Sequence, residues 1–309
     1  MPKVTLARTD NRATGIDRAI GLLDDAAAAF AGKSVALKPN FNSDDTYPGS
    51  THNDTLRALV AWLREAGAKE ITIADRSGGS WETHEVFEKK GIHELARELG
   101  VRAVETDSLS ADDWEVVDLP NSHWSHGVEA PKLFTRAEAV LETCCLKTHA
   151  FGGHFTLSLK NVVGVIAKTS PRDGYAYMRE MHGSPHMREM IAEANLAYTP
   201  NLVVMDGLKA FVKGGPATGT LVSPGVILAS TDRVAIDAVG VAILRLYKTT
   251  PEVAKGPIFE LTQIRRAAEL GLGARSIEEI ELVADDDPQS RAFVERVRAV
   301  IGGSLSSLS

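Results

Sequence analysis

The chain opens on a rhythm that few architectures can accommodate. Short apolar runs of strand length lie at 3–8 (KVTLAR), 34–38 (SVALK), 70–74 (EITIA) and 101–105 (VRAVE), with helical patterns between them. Segment 13–31 places Ile16, Ile20, Leu23 and Ala27 at helical spacing. Segment 51–66 gathers Leu56, Leu59, Val60 and Leu63 on one face before Gly67 closes it. Two further helical stretches, 82–90 and 93–99, precede the fourth strand. Strands joined by helices of this length pair in parallel, because a parallel partner needs a long crossover. The expected fold is α/β, a mostly parallel sheet flanked by helices. A chain of 309 residues accommodates one such domain over 1–309, or two lobes meeting near 106–136 with a cleft between them.

The middle of the chain is less regular. Runs 114–119 and 138–145 read as strands, with His123, Trp124 and His126 among turn residues between them. From 146 to 184 the chain is rich in Gly, His and Lys, with a short helical pattern near 157–166. A polar stretch this long inside a compact enzyme is usually functional or mobile. A helix is expected over 185–197, with Ser184 as its N-cap and Pro185 at its first position. Strands follow at 202–205 and 226–230, then a helix to residue 246 capped by Thr231-Asp232. Helix 262–270, strand 278–283 and helix 288–301 complete the chain.

Charge and cysteine content narrow the functions. A net charge of −7 argues against a general nucleic-acid surface. No apolar run reaches the roughly 18–20 residues that cross a bilayer, and the first residues lack a signal peptide's apolar core. The expectation is a cytoplasmic protein without a membrane partner; the oligomeric state is left open. Cys144 and Cys145 are neighbours on a strand and point to opposite faces, so they read as small buried residues rather than a disulfide. Two cysteines are also too few for an iron–sulfur cluster, which takes about four.

In open parallel sheets, ligands bind beyond the carboxyl ends of the strands. Five expected strands end in polar residues: Lys38-Pro39-Asn40-Phe41-Asn42, Asp75-Arg76-Ser77-Gly78-Gly79, Lys147-Thr148-His149, Asp206-Gly207 and Ser230-Thr231-Asp232. The segment from His149 to Asn161 adds Gly152 and Gly153, whose backbone can approach an anion closely, and then Lys160 and Asn161 in a short helix. Lys160 stands among Leu157, Leu159, Val162 and Val163, a setting that packs its stem and frees its amine for a cleft. Neither a Walker loop nor a strand–GxGxxG–helix signature is present, so no nicotinamide cofactor is expected.

Four of the nine histidines, His149, His154, His182 and His186, fall between 149 and 186 and are candidate metal ligands. His182 and His186 are separated by Gly183-Ser184-Pro185, which breaks the helix and sets His186 in a first turn. There the helix dipole favours neutral imidazole, the form that ligates a transition metal. Gly214-Gly215-Pro216 reads as a tight loop, and Asp237 as a buried helical carboxylate anchoring a lysine. His84, His93, Trp62 and Trp81 fit helix surfaces or core.

At these motifs the sequence resembles the domain-of-unknown-function 362 family. The likeness runs from about Val35 to Gly273 through LKPNFN, ITIAD, LKTHAFGGHFTLSLKNVVGV, VVMDG with Gly214-Gly215-Pro216, and ILASTDRVAIDAV. Many such proteins carry ferredoxin-like cysteine modules or export signals. This sequence shows neither, so no iron–sulfur cluster is expected. More distantly, Gly152-Gly153, Lys160-Asn161-Val162-Val163-Gly164 and the later His182/His186 resemble, in order, nickel-dependent lactate-racemase-like proteins. In those proteins a lysine after a Gly-Gly loop carries a nickel-pincer cofactor.

These features combine into one expectation: a metal-dependent enzyme acting on a small carboxylate- or phosphate-bearing anion. His149, His154, His182 and His186 supply metal ligands, and an open coordination position allows the ion to polarise substrate or activate water or oxygen. Lys38, Asn40, Asp75, Lys147, Asn161, Gly152 and Gly153 bind the anion, with Lys160 and Asp206 placed for proton transfer. The family resemblance leans this toward an oxidoreductase, with iron ahead of zinc or nickel. The alternatives are racemase-like proton or hydride transfer at a nickel-type cofactor, and a metal-free anion-binding protein.

Overall fold

The computed structural model describes residues 1–302 apart from Ser80 and Gly153. Its strands are β1 (Lys3–Arg8), β2 (Ser34–Lys38), β3 (Glu70–Asp75), β4 (Arg102–Glu105), β5 (Trp114–Val117), β6 (Val128–Pro131), β7 (Ala139–His149), β8 (His154–Thr156), β9 (Leu202–Gly214), β10 (Gly219–Val222), β11 (Val226–Ser230) and β12 (Glu281–Ala284). One sheet runs in the order β12-β1-β11-β9-β7-β2-β3-β4, with β8 paired to β7 and β10 to β9; β5 and β6 form a separate ribbon. From β4 to β9 every pairing is parallel. Strand β11 runs antiparallel to both β9 and β1, and β12 is parallel to β1. The fold is therefore α/β with a mostly parallel sheet, as the strand–helix rhythm implies. Strands β2, β3 and β9 present their carboxyl ends on one rim.

Both faces of the sheet are covered, which is why β2, β3 and most of β7 are buried along their length rather than alternating with exposed residues. Alternate residues still sort to opposite sides. Val35, Leu37, Ile71, Ile73, Leu141 and Val204 join one cluster with the helices Arg12–Ile20 and Asn53–Glu65. On the other face the core is divided. Cys144, Leu146, Val203, Met205 and Leu228 pack with the helices Arg233–Leu246 and Pro288–Ile301. Ala36, Ala74 and Val140 pack with the β5–β6 ribbon and the helices Tyr177–Gly183 and Met187–Ala194. The segment 157–166 joins these two clusters: Leu157 and Leu159 belong to the first, and Val162, Val165 and Ile166 to the second.

Several local expectations need correction. The helix expected over 13–31 stops at Ile20, and a short 3-10 turn, Ala26–Ala29, replaces its second half. The helix expected from Pro185 begins at Met187, with His186 at the N-cap. The Ser184 hydroxyl instead accepts from the His186 amide at 3.0 Å, closing a turn ahead of the helix. Strands β7 and β9 run past their expected ends, so Asp206 lies inside β9. The pairing slips there, from Cys145 opposite Asp206 to Leu146 opposite Ala210. Among the described residues no helix is long and apolar enough to cross a membrane.

The buried helix Arg233–Leu246 is fixed at its start by Asp232. One carboxylate oxygen accepts from the amides of Val234 and Ala235, both at 2.8 Å, and the other from Ala274, also at 2.8 Å. A Cβ on Gly273 would lie 2.1 Å from that carboxylate, so glycine is required for the close approach. An ordinary cap contributes about 1 kcal/mol, and a third amide left unmet adds about as much again. Asp232→Ala is expected to lower the unfolding free energy by about 2 kcal/mol in urea titration. A loss below about 0.5 kcal/mol would show that the cap does not anchor this helix.

Candidate functional site

Adjacent parallel strands β7, β2 and β3 bring Lys147, Lys38 and Asp75 to the same rim. Lys38 Nζ donates to Asp75 Oδ1 at 2.8 Å, to the Pro39 carbonyl at 2.7 Å and to Asn161 Oδ1 at 3.0 Å, which uses all three of its protons. Asp75 also accepts from the amides of Phe41 (2.7 Å) and Arg76 (2.8 Å). Burial pushes this carboxyl up from its usual range, while Lys38 and the two amides pull it back. Because Lys38 can only donate, Asn161 must present its oxygen; its amide nitrogen then donates to the Thr143 carbonyl at 3.2 Å. Lys147 donates to Asn40 Oδ1 at 2.8 Å and to the Gly49 carbonyl.

Lys38, Asn40, Asp75, Lys147 and Asn161 line a cleft together with Asn42, Arg76, His149, Thr156 and Lys160. Four cationic side chains and one carboxylate face it. Arg76 is buried and donates to the carbonyls of Ile166, Ser77 and Val163. Burial pushes its guanidinium down to about 10. Lys160 differs from the other three: among the described residues its amine has no hydrogen-bond or ion-pair partner. The side chain is 7% exposed, and burial, reinforced by nearby Lys147, pushes the amine down to about 8. The short helix Ser158–Asn161 that carries it is held at its start by Asp237, which accepts from the amides of Ser158 (2.8 Å) and Leu159 (3.1 Å). Asp237 thus anchors the lysine's backbone, not a lysine side chain as the sequence suggests.

His149, at the end of β7, is driven down to about 2 by burial and by Lys160, Lys147 and His182, so its ring is neutral. Its Nδ1 accepts from the Phe151 amide at 3.2 Å. The proton therefore sits on Nε2, and the ring offers a donor. Thr156 on β8 has a buried hydroxyl with no partner among the described residues.

Of the candidate residues, Lys38, Asn40, Asp75, Lys147, His149, Lys160 and Asn161 all line the cleft. Gly152 is not among its lining residues, and Gly153 lies outside the described residues. Asp206 lies away from the cleft. Its carboxylate accepts from Arg12 (2.8 Å), Tyr47 (2.5 Å), Thr55 (2.7 Å) and the Leu208 amide (3.2 Å), which leaves it little capacity for proton transfer. The four histidines take different partners, although His182 is near enough to His149 to act on its ring. His154 pairs with His149 across the β7–β8 turn but has Arg188 and Glu252 as its charged neighbours. His182 bonds the Met178 carbonyl at 2.7 Å. His186 stacks on His123 with ring centres 4.2 Å apart, and His123 is bound to Glu193 at 2.8 Å. Among the described residues these four do not form a group of three close ligands.

Arg76, Asn42, Thr156 and Gly164 join the site although none of them is among the candidate site residues read from the sequence. Arg76 and Asn42 stand inside the polar strand-end motifs and are legible there. Gly164 is not: its role emerges only from packing, since a Cβ would lie 2.4 Å from Asp75 Oδ1 and 2.9 Å from Lys38 Nζ.

The family model described as a domain of unknown function (DUF362) matches residues 35–242. The chain belongs to this family. This DUF362 protein is 28% identical over 229 residues to a thylakoid-associated protein of Synechocystis sp., across 71% of this chain and 65% of that relative's length. In structure it is similar to the lactate racemase apoprotein of Thermoanaerobacterium thermosaccharolyticum, with a TM-score of 0.46 and 13% identity over 95% of this chain and 85% of that one. That likeness is too distant to carry residues across.

The packing of Gly164 on the ion pair gives a direct test. Gly164→Ala is expected to cost about 1–3 kcal/mol, the scale of overpacking, and to weaken any ligand held by the cleft. Chemical denaturation of the variant checks it; unchanged stability would mean the pair yields without cost.

Proposed function

We propose that this protein is an enzyme that binds a small carboxylate- or phosphate-bearing molecule in the cleft and uses the Lys160 amine for proton transfer. The observation that carries this reading is the contrast among the cleft cations. Lys38, Arg76 and Lys147 are occupied by protein acceptors, whereas Lys160 is buried with no partner among the described residues. An amine pushed down to about 8 keeps a usable neutral fraction near neutral pH, the condition for a general base. The anion has donors without calling on Lys160: the third proton of Lys147, the Nε2 proton of His149 and the Thr156 hydroxyl. With the charged group held there, Lys160 is left to take a proton from an adjacent carbon or heteroatom.

A resident transition metal fits this cleft poorly. His149 is the one imidazole among its described lining residues and presents a proton rather than a lone pair. Asp75 already accepts from Lys38 and two amides. The groups present suit anion binding and proton transfer rather than redox chemistry.

With a panel of small carboxylates and phosphates, ligands should raise the melting temperature of the wild type. Lys160→Ala and Lys160→Arg should abolish turnover or solvent-deuterium incorporation into the bound molecule. Full turnover in Lys160→Arg would show that only charge is needed there and overturn Lys160 as the base, whereas ligand stabilisation with no turnover in the wild type would favour a binding protein. The value of kcat/KM, which reports the free enzyme, should rise as pH increases through about 8 because the active amine is the deprotonated form. That of kcat should rise at higher pH, because the bound anion favours the protonated amine. In the absence of ligand, Lys160→Met should stabilise the protein by up to about 3 kcal/mol below pH 8. The native amine binds its proton less tightly than the unfolded one, whose value is 10.5, so the penalty is complete below about 8 and vanishes as pH rises toward 10.5. Melting curves across that range check the sign; a variant less stable at every pH would overturn the placement of a strained amine.

A further inference from the structure

At the β4 edge of the sheet, outside the cleft, three side chains from three elements converge. His84 lies on the helix Thr83–Lys89, His93 on the next helix, Ile92–Glu98, and Glu105 is the last residue of β4. His84 Nδ1 lies 3.0 Å and His93 Nε2 2.7 Å from the same carboxylate oxygen, Glu105 Oε1. One ligand atom from each of the three lies within 4.8 Å of the other two. We propose that His84, His93 and Glu105 form a binding site for a divalent transition-metal ion of the zinc class.

The donor chemistry and the geometry agree. Two imidazoles with a carboxylate select borderline ions such as zinc, whereas magnesium and calcium prefer oxygen shells. Bonds of about 2.0–2.2 Å place ligands on one zinc ion roughly 3–4 Å apart, and with all three ligand atoms within 4.8 Å of one another, shifts of up to about 1 Å open the centre. The Phe87 ring packs against His93 with centres 5.6 Å apart, and Glu105 is only 11% exposed. Glu88 follows His84 by one helical turn and stands 4.0 Å from His93 Nε2, a further oxygen at the rim. The open side, where His84 is 71% exposed, gives an ion its path and leaves room for water as the remaining ligand.

Such an ion would tie two helices to the edge strand. It would act close to the cleft wall, because Thr83 accepts from the Ser77 amide at 2.9 Å and donates to Asp107 at 2.6 Å, and Ser77 adjoins Arg76. The test uses full-length protein without a histidine tag, stripped with chelator and titrated calorimetrically with ZnCl2, with MgCl2 as control. One zinc ion per chain and a raised melting temperature are expected, with no response to magnesium. Affinity should fall by more than about tenfold in His84→Ala, whose exposed side chain is dispensable for packing, and in Glu105→Gln. Absence of zinc uptake, or uptake of equal stoichiometry and affinity in His84→Ala, would overturn the site.

Discussion

Lys38 and Asp75 meet at adjacent strand ends, buried from water, and the chain around them leaves no proton of Lys38 without an acceptor. A buried pair of this kind contributes little net stability, but losing either partner costs about 3–5 kcal/mol because the other is stranded. What the pair supplies is position. Asp75 fixes the amides of Phe41 and Arg76, and so the paths of two rim loops, while Lys38 orients Asn161 and with it the helix that carries Lys160. Gly164 completes the joint by lacking the atom that would push the pair apart.

The second constraint is the divided core on one face of the sheet. Segment 157–166 sends Leu157 and Leu159 into one cluster and Val162, Val165 and Ile166 into the other, so Lys160 and Asn161 fall at the seam. A short helix in that position has too few turns to order itself, and its alignment comes from the packing on either side and from Asp237 at its start. The sheet places the strand ends, and the seam places the amine opposite them.

Much of this arrangement is legible in the amino-acid sequence. Short apolar runs and helical patterns locate β1, β2, β11 and the helices Arg233–Leu246 and Pro288–Ile301 at their observed bounds, and the polar strand ends mark Lys38, Asp75 and Lys147. The reversal of strand β11 is hidden because a short apolar run carries no direction. The histidines are legible only in part. His154 does lie opposite His149 across the β7–β8 turn and His182 is near enough to act on the His149 ring, but His186 is drawn instead to His123. His84 and His93 look like ordinary surface residues in sequence. They converge because two short helices fold back toward Glu105, a tertiary event with no local signature.

The cleft favours one sign of charge in two ways. Four cationic side chains and one carboxylate give it a net positive lining, which favours an anion. The loop after β7 then makes the same choice through one hydrogen bond. When the Phe151 amide donates to His149 Nδ1, the ring's remaining nitrogen must carry the proton, and burial among lysines keeps the ring neutral. A histidine held this way has a donor to offer and no lone pair. For His149 to ligate a metal through Nε2, the proton would have to move to Nδ1 and the loop to release its amide. The backbone conformation at Phe151 and the chemistry of the cleft are therefore coupled, and both favour an anion beside an uncommitted amine.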